Sequence, residues 1–194
     1  MIFLVGVSCV GKTTIGRRAA DLMGVNFFDL DHEVEVFFNT SIERLQQRLL
    51  TQHAYRNEAA KALTHLLTRP ESEHSVIALP PSGLTGGYFR VVKRTPGLIV
   101  VLWDRPENIL GRIAFYDIDS RLTELQLTAS EKRWYLSEIK KDMAYWGKTY
   151  ERAHMCVDIT GLDVEAAAHK LKEAVAACGV EYQLAQRDNK RAGI

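Results

Sequence analysis

Short apolar runs alternate along this chain with longer segments in which apolar residues recur every three or four positions. The run LIVVLW at 98–103 is apolar on both faces, as is typical of a central strand in a parallel sheet. Other short apolar runs predict four further strands, at 2–5, 25–29, 75–79 and 155–158.

The segments between these runs have the spacing of helices. They predict helices at 12–23, 33–38, 41–50, 53–68, 106–115, 130–152 and 163–177. Gly24 and Gly179 follow two of these segments, at the position where glycine often ends a helix. Strands that alternate with helices predict an α/β fold, with a parallel sheet covered by helices on both faces.

Two segments stand outside this pattern. The stretch 116–130 has no convincing core pattern and lies between two predicted helices, so we predict that it is a lid. The end of the chain, 181–194, is polar and is predicted to be a frayed tail. The length of 194 residues suggests one domain at 1–180, which precedes this tail.

Composition narrows the classes of function. The net charge of +1 gives no general attraction to nucleic acid or to an acidic membrane. Three widely spaced cysteines form neither a disulfide framework nor a metal-ligand pair, which fits a reducing compartment. No apolar run approaches the length of about 20 residues that spans a bilayer. We therefore expect a cytoplasmic monomer with no nucleic-acid or membrane partner.

The strongest chemical motif is GVSCVGKTT at 6–14, between the first strand and the first helix. It fits the phosphate-loop pattern G-x-x-x-x-G-K-[ST], in which backbone N–H groups and a helix N-terminus hold phosphates. Lys12 is predicted to reach the β- and γ-phosphates, and the Thr13 hydroxyl to bind Mg²⁺. The predicted nucleotide-binding residues of this loop are Gly6, Ser8, Cys9, Val10, Gly11, Lys12, Thr13 and Thr14.

An acid pair, Asp29 and Asp31, lies at the end of the second predicted strand. Their i, i+2 spacing would place both side chains on one side of an extended chain. This is the sheet edge at which ligands bind in such folds. One carboxylate could then hold Mg²⁺ through water, while the other orients or deprotonates a hydroxyl nucleophile.

The opening third of the chain, FLVGVSCVGKTTIGRRAADLMGVNFFDLDHEVE, resembles the shikimate kinases. The resemblance continues through SIERL and YRNEAAKAL and returns in VIA, GLIVVLWDRPENILGRI and TYERA. It implies a three-layer α/β/α P-loop fold of the nucleoside-monophosphate-kinase type. Its five-stranded parallel sheet would have the order 2-3-1-4-5, with substrate-binding helices at about 32–68 and a lid.

The resemblance also implies site residues and the cofactors ATP and Mg²⁺. Thr13 and Asp29 match the metal-binding positions, and Lys12 the phosphate-binding lysine. Asp31 matches the acid that contacts the substrate hydroxyls and acts as base. Arg56 of YRNE matches the arginine that binds the substrate carboxylate, and Arg121 of SRLTEL matches the catalytic lid arginine. Arg112 lies near the adenine-stacking arginine, although a helix-surface arginine is an open alternative.

Departures from the family pattern concentrate in the acceptor site. Pro80, Pro81 and Ser82 replace three glycines, and a proline has no N–H to donate. Trp146 stands at or near the second carboxylate-binding arginine, where Lys148 is the candidate substitute. An acid expected three residues after Arg56 is Ala59 instead. Aromatic residues (Tyr88, Phe89, Trp134, Tyr145 and Trp146) suggest a larger or less anionic acceptor, with core packing as the alternative.

The sequence therefore predicts a kinase that transfers the γ-phosphoryl group of Mg-ATP to a small hydroxylated metabolite. Shikimate is the candidate acceptor by resemblance alone; another polyol, a sugar acid or a nucleoside-like hydroxyl is the close second. A nucleotide-binding regulatory protein without turnover is the alternative that the two prolines and the missing arginine favour. A kinase acting on nucleic-acid ends is less attractive, because the chain has no basic stripe.

Overall fold

A five-stranded parallel sheet organises the protein. The computed structural model describes residues 1–113, 115–119, 121–123 and 127–191. The sheet contains β1 (Ile2–Val5), β2 (Asn26–Asp29), β3 (Ser75–Ala78), β4 (Leu98–Trp103) and β7 (Met155–Asp158), in the order β2-β3-β1-β4-β7. Every neighbouring pair is parallel. Counted by sheet strands alone, this is the order 2-3-1-4-5, so the predicted fold is confirmed.

Helices connect the strands of this sheet, and a short antiparallel hairpin lies outside it. The helices are α1 (Lys12–Met23), α2 (Leu30–Phe38), α3 (Ile42–Gln47), α4 (Gln52–Leu66), α5 (Gly86–Val92), α6 (Pro106–Leu110), α7 (Ala129–Tyr150) and α8 (Val164–Arg191), with a 3₁₀ turn at Pro70–Ser72. The hairpin pairs β5 (Phe115–Tyr116) with β6 (Leu122–Thr123). Within the described part of the chain, no helix is both long enough and apolar enough to cross a membrane.

The sheet separates two hydrophobic cores, because successive side chains of a strand point to opposite faces. Phe3 and Val5 of β1 pack into the first core with residues of α2, α4 and α5. Ile2 and Leu4 pack into the second core with residues of α1 and α8. This layering leaves the carboxyl ends of β1, β2 and β3 together at one edge.

The structure corrects several predicted boundaries. Helix α2 begins at Leu30, so Asp31 lies in its first turn and not in an extended chain, as the spacing argument assumed. Helix α6 ends at Leu110, five residues before the predicted end. Helix α8 continues through Gly179 to Arg191, which makes the predicted cap wrong. A long helix tolerates one interior glycine at a cost of about 1 kcal/mol.

Helix α5 was not predicted. Its sequence GGYFRVV opens with two glycines, and glycine has low helix propensity. A Cβ on Gly87 would lie 2.8 Å from the Arg56 carbonyl oxygen, 2.9 Å from the Ala60 Cβ and 3.0 Å from the Asn57 Cα. Close packing on α4 therefore forms this helix where local propensity does not.

Candidate active site

The phosphate loop curls between β1 and α1 with three residues at positive φ: Gly6 (151°), Cys9 (58°) and Gly11 (108°). Gly6 also has no room for a side chain, because a Cβ there would lie 2.7 Å from the Leu102 carbonyl oxygen. The two motif glycines thus let the backbone turn sharply at the N-terminus of α1. Such a turn aims backbone N–H groups at an anion site.

Lys12 lies over this loop. Its Nζ donates hydrogen bonds to the carbonyl oxygens of Gly6 (3.0 Å) and Val7 (2.9 Å). Burial lowers the pKa of Lys12, and the negative charges of Asp31 and Asp29 oppose that change. The ammonium group therefore contacts the loop and lies within the electrostatic reach of both aspartates.

Thr13 and Asp29 are in direct contact. The Thr13 hydroxyl donates to the Asp29 Oδ2 at 2.5 Å. The Asp29 Oδ1 accepts the Asp31 N–H at 3.0 Å and thereby caps α2. The two predicted metal-binding groups are hard oxygen donors that lie side by side, which suits Mg²⁺.

Asp31 occupies the first turn of α2 and is exposed to solvent. Surrounding protein atoms remove part of its hydration, and this desolvation raises its pKa to about 6. The charge of Asp29 raises the pKa further, whereas Lys12 opposes the shift. Asp31 is thus a carboxylate that can take up a proton near neutral pH, as a general base does.

Arg56 of α4 lies against Gly86 of α5: a Cβ on that glycine would lie 3.9 Å from the Arg56 Nε. The Arg56 Nε is buried and has no hydrogen-bond partner in the part of the chain that the structure describes. No ion pair of Arg56 occurs within the described residues. A half-buried guanidinium whose Nε has no partner among the described residues is suited to bind an anionic or strongly polar ligand group.

Two tyrosines adjoin Arg56 and Asp31, and the motifs did not identify them as a pair. Tyr55 is 6% exposed, and Tyr88 is fully buried. Within the described residues the Tyr88 hydroxyl makes no hydrogen bond of ordinary length, although it interacts with the Tyr55 hydroxyl. Burial raises the pKa of Tyr55 to about 12 and that of Tyr88 well above its usual range, and the charge of Asp31 contributes to both shifts. The sequence analysis names Tyr88 only as one of five aromatic residues that suggest a larger or less anionic acceptor. Tyr88 has no position in any motif.

Arg112 joins the nucleotide side of the site. Its Nη1 lies 2.7 Å from the Asp104 Oδ2 and donates a 3.3 Å hydrogen bond to the Val10 carbonyl oxygen of the phosphate loop. Asp104 is fully buried, and its Oδ1 accepts hydrogen bonds from the Arg105 N–H and the Asn108 amide, both at 2.7 Å. Asp104 therefore fixes Arg112 beside the loop. The sequence motif did not reveal this partner, because it lies eight positions away along the chain.

The remaining predicted site residues are not joined to this group by any contact among the described residues. Arg121 is exposed on the hairpin, where its N–H donates to the Asp117 Oδ1 at 2.9 Å. Lys148 is exposed in the last turn of α7. The predicted lid at 116–130 lies partly outside the described residues, at 120 and 124–126, and the same holds for the end of the predicted tail, 192–194. The roles of these residues stay predictions.

The segment that replaces the family's glycines forms tight turns. The Gly83 N–H donates to the Pro80 carbonyl oxygen at 2.8 Å, and the Tyr150 hydroxyl donates to the Pro81 carbonyl oxygen at 3.2 Å. Trp146 packs against the second core. Trp134 and Tyr145 are exposed on α7 (58% and 70%), while Phe89 packs against the first core. Of the five aromatics, Tyr88 is the one whose electrostatic neighbours include Arg56 and Asp31.

Solved structures with this arrangement of strands include shikimate kinases. The structure from Bacteroides thetaiotaomicron matches with a TM-score of 0.72 over 90% of this chain and 97% of that one, at 21% identity. The shikimate kinase of Acinetobacter baumannii, solved in complex with shikimate, matches with a TM-score of 0.67 over 91% and 92%, at 25% identity. The first of these likenesses shows the fold alone.

Sequence comparison gives the same family. The shikimate kinase of Neisseria gonorrhoeae is 27% identical over 111 residues, which are 57% of this chain and 63% of that protein. The chain thus matches less than two thirds of the length of this curated relative. The sequence model of the family described as shikimate kinase matches residues 8–176. This chain belongs to the shikimate kinase family.

Proposed function

We propose that this protein is an ATP-dependent small-molecule kinase, which transfers the γ-phosphoryl group of Mg-ATP to a hydroxyl of a small metabolite. One observation carries the proposal: Lys12, Thr13, Asp29 and Asp31 are gathered where the phosphate loop meets the carboxyl end of β2. Phosphoryl transfer needs positioning and charge stabilisation more than covalent chemistry, and this group supplies both.

The residues fit the nucleotide and the metal ion. The loop N–H groups and Lys12 would hold the phosphates, Arg112 would pack against the base, and Thr13 with Asp29 would hold Mg²⁺. Bound Mg²⁺ neutralises charge on the phosphate oxygens. A Cβ at Gly6 would meet the Leu102 carbonyl oxygen, so the loop geometry that this binding requires depends on glycine there.

Asp31 would orient the acceptor hydroxyl and accept its proton. A pKa of about 6 leaves most of this carboxylate ionised at pH 7, yet keeps it basic enough to hold the proton transiently. Lys12, on one side, and Arg121, carried by the hairpin, would offset the charge on the transferring group. These roles follow the positions of the residues in the family pattern.

The acceptor would carry one anionic or strongly polar group that binds Arg56. The Arg56 Nε is buried and has no partner at the positions that the structure describes, and a planar guanidinium suits a carboxylate. Shikimate is the candidate by family, whereas Pro80, Pro81 and Trp146 favour another hydroxylated metabolite, such as a polyol or a sugar acid. We further propose that the protein acts as a cytoplasmic monomer, without nucleic acid or membrane.

A nucleotide-binding regulatory protein is the second candidate. The observation that favours it is the packing of Trp146 against the second core, at the position of a substrate-binding arginine. The two candidates differ in turnover and not in nucleotide binding.

ADP release against a panel of shikimate, quinate, gluconate and nucleosides tests the proposal. A kinase releases ADP faster with one of these acceptors, and a thermal shift with Mg-ATP shows nucleotide binding independently. Stabilisation by Mg-ATP without acceptor-dependent ADP release favours the regulatory protein. Neither stabilisation nor release contradicts both candidates.

A further inference from the structure

The hairpin β5–β6 is fastened to helix α3. The Ser41 hydroxyl donates to the Ile118 carbonyl oxygen at 2.7 Å. The Arg44 guanidinium reaches the Asp119 Oδ1 with both Nε (2.9 Å) and Nη2 (2.8 Å). Ser41 is also the N-cap of α3, so the hairpin contacts the beginning of this helix.

Inside the hairpin, one carboxylate connects this contact to Arg121. The Asp117 Oδ1 accepts the N–H of Asp119 at 2.8 Å and the N–H of Arg121 at 2.9 Å. The Asp117 N–H in turn donates to the Arg121 carbonyl oxygen at 2.9 Å. The backbone of Arg121 is therefore held by the same group that holds Asp119, and a displacement of one displaces the other.

Helix α3 is itself held by contacts with the first core and with helix α2. Leu45 packs into the first core and is 7% exposed. The Glu35 carboxylate of α2 accepts the Ile42 N–H at 3.1 Å, which ties α3 to the helix that carries Asp31. The hairpin thus rests on an element whose position is fixed relative to the proposed general base.

We propose that Arg44 and Asp119 are positioning residues for phosphoryl transfer. Their ion pair holds the hairpin, and therefore Arg121, at a fixed position relative to Asp31. The inference rests on the proposed function, because it takes Arg121 as the arginine that offsets charge on the transferring group. The pair is half-exposed on both sides (50% and 42%), and exposed ion pairs contribute little. We therefore expect each single loss to lower kcat about two- to fivefold, and less at high salt.

The test compares Arg44→Gln, Asp119→Asn and the charge swap Arg44→Asp with Asp119→Arg. Hydrogen exchange of the amides at 115–119 and 121–123 reports the contact without any turnover. Mg-ATP turnover with the acceptor panel reports the effect of the contact on Arg121. Each single variant should speed exchange and lower kcat about two- to fivefold with an unchanged Kd for ATP, and the swap should restore both. Lys61→Gln, which breaks the exposed Lys61–Glu58 pair on α4, is the matched control and should change neither.

Several outcomes overturn the inference. Unchanged exchange in the single variants shows that the pair does not hold the hairpin, and faster exchange with unchanged kcat shows that the hairpin does not position a group the reaction uses. In both cases turnover by the unmodified protein leaves the proposed function intact. No turnover by the unmodified protein with any acceptor removes the proposed function, and this inference with it.

Discussion

At the residue scale, the site is a chain of contacts in which each polar group fixes the next. The Thr13 hydroxyl binds one oxygen of Asp29, and the other oxygen of Asp29 caps the helix that carries Asp31. The position of the proposed base therefore depends on the proposed metal-binding acid. A substitution of Asp29 is expected to disturb both roles, whereas a substitution of Asp31 disturbs one.

Replacing Asp31 by asparagine should abolish phosphoryl transfer and leave Mg-ATP binding unchanged, because asparagine cannot accept the proton. The folded state raises the pKa of Asp31 to about 6 from 3.8. The folded protein consequently holds more protons than the unfolded chain between these values, and stability falls as the pH rises through this range. Asp31→Asn should therefore raise the Tm more at pH 8 than at pH 4.

The matching activity measurement is the pH profile of the proposed transfer reaction in the unmodified protein. The transfer rate should fall as the pH drops below about 6, where Asp31 takes up a proton. A Tm difference for Asp31→Asn that is equal at the two pH values would contradict the raised pKa. Turnover retained by this variant would contradict its role as base.

Tyr88→Phe should stabilise the protein. The Tyr88 hydroxyl is buried and makes no hydrogen bond of ordinary length with the described residues, although it interacts with the Tyr55 hydroxyl. A poorly hydrogen-bonded buried group costs about 1–3 kcal/mol, which phenylalanine avoids with nearly the same shape. Urea unfolding measures the gain. Tyr55→Phe is the control, because the Tyr55 hydroxyl interacts with Gln46 as well as with Tyr88, so its removal should show no comparable gain. A loss of stability in Tyr88→Phe would mean that its hydroxyl is hydrogen-bonded in the folded protein.

At the scale of elements, the packing of α5 on α4 depends on one missing side chain. Gly87→Ala would press a methyl group against the backbone of α4 at Arg56 and Asn57, so it should destabilise the protein by about 1–3 kcal/mol. Gly147→Ala on α7 is the matched control, because nothing lies within 4 Å of its added Cβ. That change should be neutral or stabilise by up to about 1 kcal/mol. Equal effects in urea unfolding would refute the packing argument.

The observed helices and strands also show which parts of the fold can be predicted from the sequence. Strands β1, β4 and β7 and helix α1 were predicted with their observed bounds, since apolar runs and a phosphate loop define them locally. Helix α5 and the hairpin could not be predicted, because contacts with distant segments form them. The same difference holds in the site: the loop motif identified Lys12 and Thr13, whereas the Asp104 and Tyr88 contacts depend on the tertiary fold.

At the scale of the whole molecule, nucleotide binding should increase the free energy of unfolding. Mg-ATP at 100 times its Kd should add about 2.7 kcal/mol, and for a chain of this size each kcal/mol raises the Tm by about 2–4 °C. Lys12→Met removes the charge that faces the loop and should reduce the gain to below about 1 kcal/mol. Lys141→Met, on the exposed side of α7, is the control and should keep the full gain in a thermal shift assay. An equal gain in both variants would contradict the role of Lys12.

The layer formed by α1 and α8 has a consequence for how the chain acquires its structure during synthesis. Ala19 and Ala20 of α1 are completely buried in the second core, which Ala167, Ala168 and Leu171 of α8 complete. About 140 residues, 24–163, therefore leave the ribosome between the two helices, a separation of the kind that slows folding. Helix α1, which is made before α8, keeps an uncovered apolar face until α8 has also been made, and exposed apolar surface of this kind favours chaperone binding and aggregation.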